Sequence, residues 1–372
     1  YLQIMYHLIA ISLIPGIGPV LARNLVSYCG SAEAVFKVKR SHLLKVPGIG
    51  EAVADNIRRF SDFDRVEQEL RFIEKNEVQC LTYLDELYPR RLKQCPDAPL
   101  LLFSRGNADL NAPRILGVVG TRNATSYGKG ICEDLAASLK DENILIVSGL
   151  AYGIDIAMHK ACVKNNVPTI GVMATGLDRI YPPAHRETAN KMMTNGGLLT
   201  EFMSDTNPDR QNFPRRNRIV AGMIDGLIVV ETGINGGAVI TALLADDYHR
   251  DVMAFPGQIH HPYSTGCNKL IKSNKAAMVE STEDVLDIMG WSSNTTKTQH
   301  VQQQLFHDLN DDEQQIHTIL QEYGELYIDD IQSKSQLTPG NLAGVLLSME
   351  FKGLISALPG KRYRLERVAI QM

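Results

Sequence analysis

Ile115-Leu116-Gly117-Val118-Val119-Gly120-Thr121-Arg122-Asn123-Ala124-Thr125-Ser126-Tyr127-Gly128 changes character at its midpoint. The first half is an almost unbroken apolar run, as a strand buried on both sheet faces requires. The second half turns on glycine, a hydroxyl and an arginine, then runs into a helical stretch, Gly128–Lys140. The same unit recurs. Strands are predicted at Ile115–Gly120, Ile144–Ser148, Thr169–Met173, Gly197–Glu201, Gly226–Glu231, Val252–Phe255 and Ala276–Val279. Helical patterns fall between them at Ile154–Lys164, Pro183–Thr194 and Ala238–His249. Apolar strands alternating with helices imply an α/β fold, a Rossmann-like doubly wound sheet that is mostly parallel.

In such sheets ligands sit at the carboxyl ends of the strands. Four turns there are glycine-rich: Val119–Gly128, Ser148–Asp155, Ala174–Arg179 and Glu231–Ala238. Gly120, Gly149, Gly153, Gly236 and Gly237 would let backbone N–H groups approach a phosphate. Thr121 adds a hydroxyl and Arg122 a cation. None of the turns is the G-x-G-x-x-G dinucleotide fingerprint or a Walker A loop. A single such turn also serves tight turning alone; together the four predict an anion-binding rim.

After the strand Gly197–Glu201 comes Asn207-Pro208-Asp209-Arg210-Gln211-Asn212-Phe213-Pro214-Arg215-Arg216-Asn217-Arg218-Ile219-Val220. Four arginines and one aromatic precede or open a helix. A solvated basic loop reads this way, and so does a surface that grips a phosphate chain and stacks an unpaired base. With the glycine turns as neighbours, Arg210, Arg216 and Arg218 are expected on phosphates, Asn217 beside them, and Phe213 under a base. Which of Arg215, Arg216 and Arg218 reach a ligand is not readable at this level; some would pair with acids of the sheet.

The flanks differ. Residues 1–78 read as an all-α domain with two Pro-Gly-Ile-Gly turns, Pro15–Gly18 and Pro47–Gly50, each between helices. That is a tandem helix-hairpin-helix, SAM-like pattern, which binds phosphate at a helix start or simply packs the domain. Its flanks are not basic, and Glu51 follows the second turn. Residues 79–112 read as a proline-punctuated connector, with Arg90, Arg91 and Lys93 as a solvated cluster. The core spans 113–291, a polar linker 292–308, and a winged-helix domain 309–372. The last has a Thr338 cap and Pro339 opening its third helix, then a hairpin around Pro359-Gly360. That helix lacks Lys and Arg between Thr338 and Phe351 and carries Glu350, which favours protein contact or packing over duplex readout. Lys361, Arg362 and Arg364 make the wing basic.

At 372 residues, 44% hydrophobic and with a net charge of -4, the chain has room for two or three folded domains and is not a polycation. Any nucleic acid must meet a local patch. Six scattered cysteines, without a CxxC pair or histidines at ligand spacing, predict reduced thiols, a cytoplasmic setting and no metal. No apolar run reaches a membrane span and no signal peptide is visible, so no membrane association is expected; the first residue, Tyr1, is not a Met and leaves room for a lost leader.

These motifs together resemble the DNA-processing DprA/Smf family. The resemblance runs over nearly the whole chain. Its specific part is Val119–Arg122, Ser148–Asp155, Thr175–Asp178, Phe213–Gly222, and Glu231-Thr232-Gly233 with Gly236-Gly237. The family binds single-stranded DNA during natural transformation, shields it and helps load the RecA recombinase; its core dimerises. The resemblance therefore implies a non-catalytic single-strand binder without cofactor, acting as a homodimer with RecA as partner. It puts Arg122 on a backbone phosphate, Arg210 where the family often has Lys, and Phe213 against a base. Gly120-Thr121-Arg122 stands where Gly-Ser-Arg is frequent, and keeps the hydroxyl. An alternative is a nucleotide-binding protein with phosphoribohydrolase-type N-glycosidase activity. Gly236–Ala242 lacks the Gly-Thr of those enzymes, and Asp155, Asp178 and Glu231 read as turn caps and arginine partners.

Overall fold

The computed structural model describes residues 2–292 and 309–366. All but the first residue of the expected linker 292–308 lies outside them, as do residues 367–372. The chain forms two compact units, Tyr1–Thr282 and Glu283–Met372.

The first unit is built on one nine-stranded sheet. Its strands are β1 (Gln79–Thr82), β2 (Leu101–Gly106), β3 (Arg114–Val119), β4 (Ile144–Ser148), β5 (Thr169–Val172), β6 (Gly196–Thr200), β7 (Gly226–Val229), β8 (Asp251–Ala254) and β9 (Ala277–Met278). Their order is β1-β2-β6-β5-β4-β3-β7-β8-β9. β3 through β9 are mutually parallel. β3 lies between β4 and β7, with Gly117 level with Val147 on one side and Leu227 on the other. From β3 the chain winds outward to β6, then returns to place β7 on β3's far side. The strand order reverses between β3 and β7, which is where such a sheet opens a crevice.

The expected connector is not a connector. β1 and β2 pair antiparallel with each other, and β2 pairs antiparallel with β6. They extend the sheet at one edge. Between them, Arg91 of the expected solvated cluster is 3% exposed. It forms a two-point pair with Asp225, Nε to Oδ1 at 2.6 Å and Nη2 to Oδ2 at 2.8 Å. Asp225 also accepts the Ile115 N–H at 2.9 Å, so the pair staples the edge segment to β3 and β7.

Residues 2–75 are helical and continue one face of the sheet, their apolar side chains merging with Leu101, Phe103, Leu150 and Leu198. Glu69 is buried and accepts the Ser204 N–H at 3.1 Å. The two Pro-Gly-Ile-Gly turns each precede a helix, Pro19–Cys29 and Glu51–Arg59, with Gly18 and Gly50 as N-caps. They interlock. A Cβ on Gly48 would lie 2.7 Å from Leu21 Cδ2, and one on Gly16 3.4 Å from Val53 Cγ2. Each turn packs on the second helix of the other copy. The Asn56 amide also donates to Pro15 O at 3.0 Å.

In the second unit, helices Asp311–Tyr323, Ile328–Ser335 and Pro339–Phe351 pack beside a sheet of β10 (Leu326–Tyr327), β11 (Ile355–Leu358) and β12 (Arg362–Leu365). This is a winged helix around Ile316, Leu320, Ile331, Leu342, Leu346 and Met349. Arg362 of the expected basic wing is buried and ion-paired with Glu325, so its charge is neutralised within the domain. Glu313 is fully buried. Burial alone would raise its carboxyl, but Lys352 at 2.6 Å, Ser348 at 2.7 Å and the Asn310 amide hold it below its ordinary value.

Two outcomes follow from these buried charges. Arg91→Met leaves Asp225 buried beside an apolar chain and should cost about 3–5 kcal/mol, whereas exposed Arg90→Met should cost about 0–0.5 kcal/mol; urea denaturation followed by circular dichroism measures both. A depressed Glu313 contributes stability that is present above its unfolded pKa and is lost as pH falls through the folded value. Amide protection factors in residues 311–351 of the intact chain, corrected for the intrinsic exchange rate, should therefore fall on acidification below the ordinary glutamate range, and Glu313→Gln should flatten that dependence.

Candidate nucleic-acid interface

The crevice predicted by the strand order exists. A groove of about 670 Å³ lies at the carboxyl ends of β3 and β7, lined by Thr121, Arg122, Arg210, Phe213, Asn217 and Gly237 among others. Gly120, Arg216 and Gly236 also line it; Gly149, Gly153 and Arg218 do not.

The β3 turn is held by its main chain. The Thr121 N–H donates to Glu231 O at 2.6 Å, and the Ile154 N–H donates to Thr121 O at 3.1 Å. Such close approach leaves no room for side chains. A Cβ on Gly120 would lie 2.4 Å from Ile154 Cγ1; one on Gly153, at φ +80°, would lie 2.0 Å from Thr121 O. The Glu231 carboxylate anchors the far side of the turn, accepting the Thr125 N–H at 3.0 Å and its hydroxyl at 2.6 Å. Thr125 in turn caps helix Ser126–Ser138.

The result is a rigid turn that carries Arg122 into solvent. Arg122 is exposed, and its guanidinium carbon stands 5.1 Å from the centroid of the Phe213 ring. Phe213 is half-buried near the start of helix Asn212–Met223, with Tyr181 tilted beside it at 6.1 Å. Arg210 is exposed just before that helix. Across the groove, Gly236 caps helix Gly237–Asp247, and Gly237 faces open space. The first N–H groups of any helix lack internal acceptors and favour an anion.

Two expected phosphate ligands are corrected. Arg216 is 4% exposed and donates to the carbonyls of Gly149 and Val172, the latter at 2.6 Å. Burial pulls its pKa down, while buried Asp155 opposes that shift. Arg218 is 8% exposed, paired with Glu201 and bonded to Asp97 O. Two residues apart, they leave the helix on different faces: Arg216 meets carbonyls at the strand ends, and Arg218 meets Glu201 and Asp97 O. One expected amide donor, that of Gly149, is also taken. The Gly149 and Ala151 N–H groups go to Asp155, and a Cβ on Gly149 would lie 2.1 Å from Arg216 Nη1. Gly149 and Gly153 shape the floor and the turn instead. Asp178 pairs with Arg179 at 2.9 Å. His159 is buried, its Nδ1 2.8 Å from Thr169 Oγ1, and burial pushes its pKa down to about 3. It is a neutral core residue.

Two tyrosines absent from the sequence expectations lie here: Tyr263 lines the groove and meets the Asn123 amide at 3.0 Å, and Tyr181 stands beside Phe213. Each arrives on a distant loop, and neither stretch has a local pattern that marks it. Among the described residues no group of His, Cys, Asp and Glu could hold a metal ion, and no helix is long and apolar enough to cross a membrane.

A cationic, amide-edged groove with an aromatic ring at a Rossmann switch point defines the class: an α/β protein with a Rossmann-like sheet, preceded in the chain by a helical domain and followed by a winged helix. The family model for DNA recombination-mediator protein A matches residues 79–290, a tandem SAM-like helix-hairpin-helix model residues 8–60, and a DprA winged helix model residues 303–361. Protein Smf of Synechocystis is 30% identical over 391 residues, covering 96% of this chain and 97% of its own. The X-ray structure of DNA processing protein A from Streptococcus pneumoniae superposes with a TM-score of 0.66 at 32% identity, covering 76% of this chain and 97% of that one. DNA processing protein A from Helicobacter pylori, described for its single-stranded DNA binding mode, gives 0.52 at 26%, covering 57% and 95%. The chain belongs to the DprA/Smf family.

The division between outward and inward arginines is measurable. Arg216→Met should destabilise the protein by about 3–5 kcal/mol, since it strips two buried carbonyls of their donor and removes the nearby positive charge from the buried Asp155 carboxylate. Arg122→Met should shift stability by no more than about 0.5 kcal/mol. Parallel urea titrations check the contrast.

Proposed function

We propose that this protein binds single-stranded DNA, without catalysing a reaction, in the groove between the β3 and β7 turns. The observation that carries this reading is the exposed Arg122 poised over the half-buried Phe213 ring beside an open helix start. Arg122 and Arg210 neutralise phosphates, the Gly237 edge donates hydrogen bonds, and Phe213 stacks a base. The contacts are to phosphate and to a ring face, which every nucleotide presents, so binding is largely independent of sequence. The relative from Helicobacter pylori supports the ligand. Membership of the family supports a role in natural transformation: protecting incoming DNA in the cytoplasm, helping to load RecA onto it, and acting as a dimer through the sheet domain.

The carboxylates support binding over glycosidase chemistry. Glu231 is committed to Thr125, Asp155 to main-chain amides, and Asp178 to Arg179. A general acid or base needs a proton-transfer position facing the substrate.

Phe213→Ala should weaken binding to mixed and pyrimidine strands alike by about 1–3 kcal/mol. Wild-type affinity should fall with salt at a slope of about -0.7 per phosphate contacted, and Arg122→Gln should make that slope shallower by about one such unit. Fluorescence anisotropy at several salt concentrations reads both. An unchanged affinity for Phe213→Ala removes the ring from the site. Incubation with AMP should release no adenine; release would favour the glycosidase. Accelerated filament formation by RecA on protein-coated strands tests the loading role.

A further inference from the structure

Arg122 borders a second groove. About 810 Å³ in volume, it lies along helices Ser126–Ser138 and Ile154–Asn165 and is lined by Arg122, Lys129, Tyr152, Lys160 and Lys164, with Ala157 and Ala161 along its floor. We propose that this groove is the continuation of the nucleic-acid track, so that one strand lies across Arg122 with Phe213 on one side and Tyr152 on the other. The proposal rests on the single-strand reading of the first groove.

Three observations support it. Lys129, Lys160 and Lys164 are all exposed, and among the described residues none of their ammonium groups makes a hydrogen bond or an ion pair. Lys160 and Lys164 are four apart on one helix face, where like charges repel. In a chain of net charge -4, a local surplus of cations at that spacing fits a polyanion lying along the helix. Glu133 is the carboxylate lining the groove, and Glu187 is near enough to Lys160 to feel its charge; a strand that follows the three lysines passes both. Tyr152 supplies the ring. It is 49% exposed and meets the buried His185 edge-on, centroids 4.9 Å apart at 74°, which leaves the tyrosine ring fixed and accessible. His185 is itself held, its Nδ1 2.8 Å from Leu150 O. Cations interleaved with an aromatic platform are the features that bind an unpaired strand. The small floor residues let a backbone lie close to the helix.

The test separates the grooves by strand length. Wild type, the triple variant K129Q/K160Q/K164Q, Tyr152→Ala and Phe213→Ala are titrated by anisotropy with oligothymidylates of roughly 5 and about 20 nucleotides, lengths that bracket the usual footprint of a single-strand site. The substituted lysines are exposed and unpaired, so the fold should persist, which circular dichroism checks. On the long strand the triple variant should bind at least about tenfold more weakly, with its salt slope shallower by about 2, and Tyr152→Ala should weaken binding as well. On the short strand both should match wild type. An unchanged long-strand affinity and slope overturns the proposal and leaves the groove to some other partner. An equal loss at both lengths also overturns it, because bulk charge would then be the cause. Phe213→Ala on the short strand reports on the first groove alone, so failure of the extension is distinguishable from failure of the single-strand reading itself.

Discussion

Everything exposed at the site depends on how one residue's backbone is gripped. The Thr121 N–H is held by Glu231 O and its carbonyl by the Ile154 N–H. Two strands and a helix start therefore meet at a single peptide segment. Buried main-chain groups must be paired, and here the pairing also fixes direction. The turn cannot relax, so the side chain of the next residue, Arg122, is aimed rather than merely present. Gly120 and Gly153 are conditions of that grip: each is placed where any side chain would collide with the partner backbone or helix.

The second constraint is electrostatic. Arginines from one basic stretch have opposite fates, decided by the partners the fold brings to each. Arg216 and Arg218 turn into the sheet's carboxyl edge and meet Gly149 O, Val172 O and Glu201. Arg210, ahead of the helix, and Arg215, on its outer face, stay in water. The buried pair supports the strand ends; Arg215 stands over the Phe202 ring within 4.0 Å of Glu201, and Arg210 is exposed ahead of the helix. A count of positive charge along this stretch overstates what a ligand meets.

The alternation of apolar runs with helices made the parallel sheet and its order of elements readable from sequence, because strands buried on both faces leave a strong local signal. The turns at the strand ends were readable for the same reason. β1 and β2 were not. They are short, separated by prolines, and held by antiparallel pairing to β6, a partner about a hundred residues away for β2, so nothing local announces them. Arg91 was misplaced with them: its partner Asp225 is distant in the chain, and a cation beside Arg90 and Lys93 looks solvated until the fold buries it. At the site, residue types were legible but their accessibility was not. Arg122, Phe213 and Gly237 come together because β3, β6 and β7 end at the same edge. Which glycine offers an amide and which only makes room depends on neighbours from other segments, as Gly149 shows.

The two N-terminal hairpins carry one further consequence. Each Pro-Gly-Ile-Gly turn leans on the other copy's second helix, through Leu21 beneath Gly48 and Val53 beneath Gly16. Neither half supplies its own backing. The repeat, for all its apparent modularity on paper, is indivisible: excising one copy bares the underside of the survivor, and lengthening the array by a third copy would offer that newcomer no unoccupied seat.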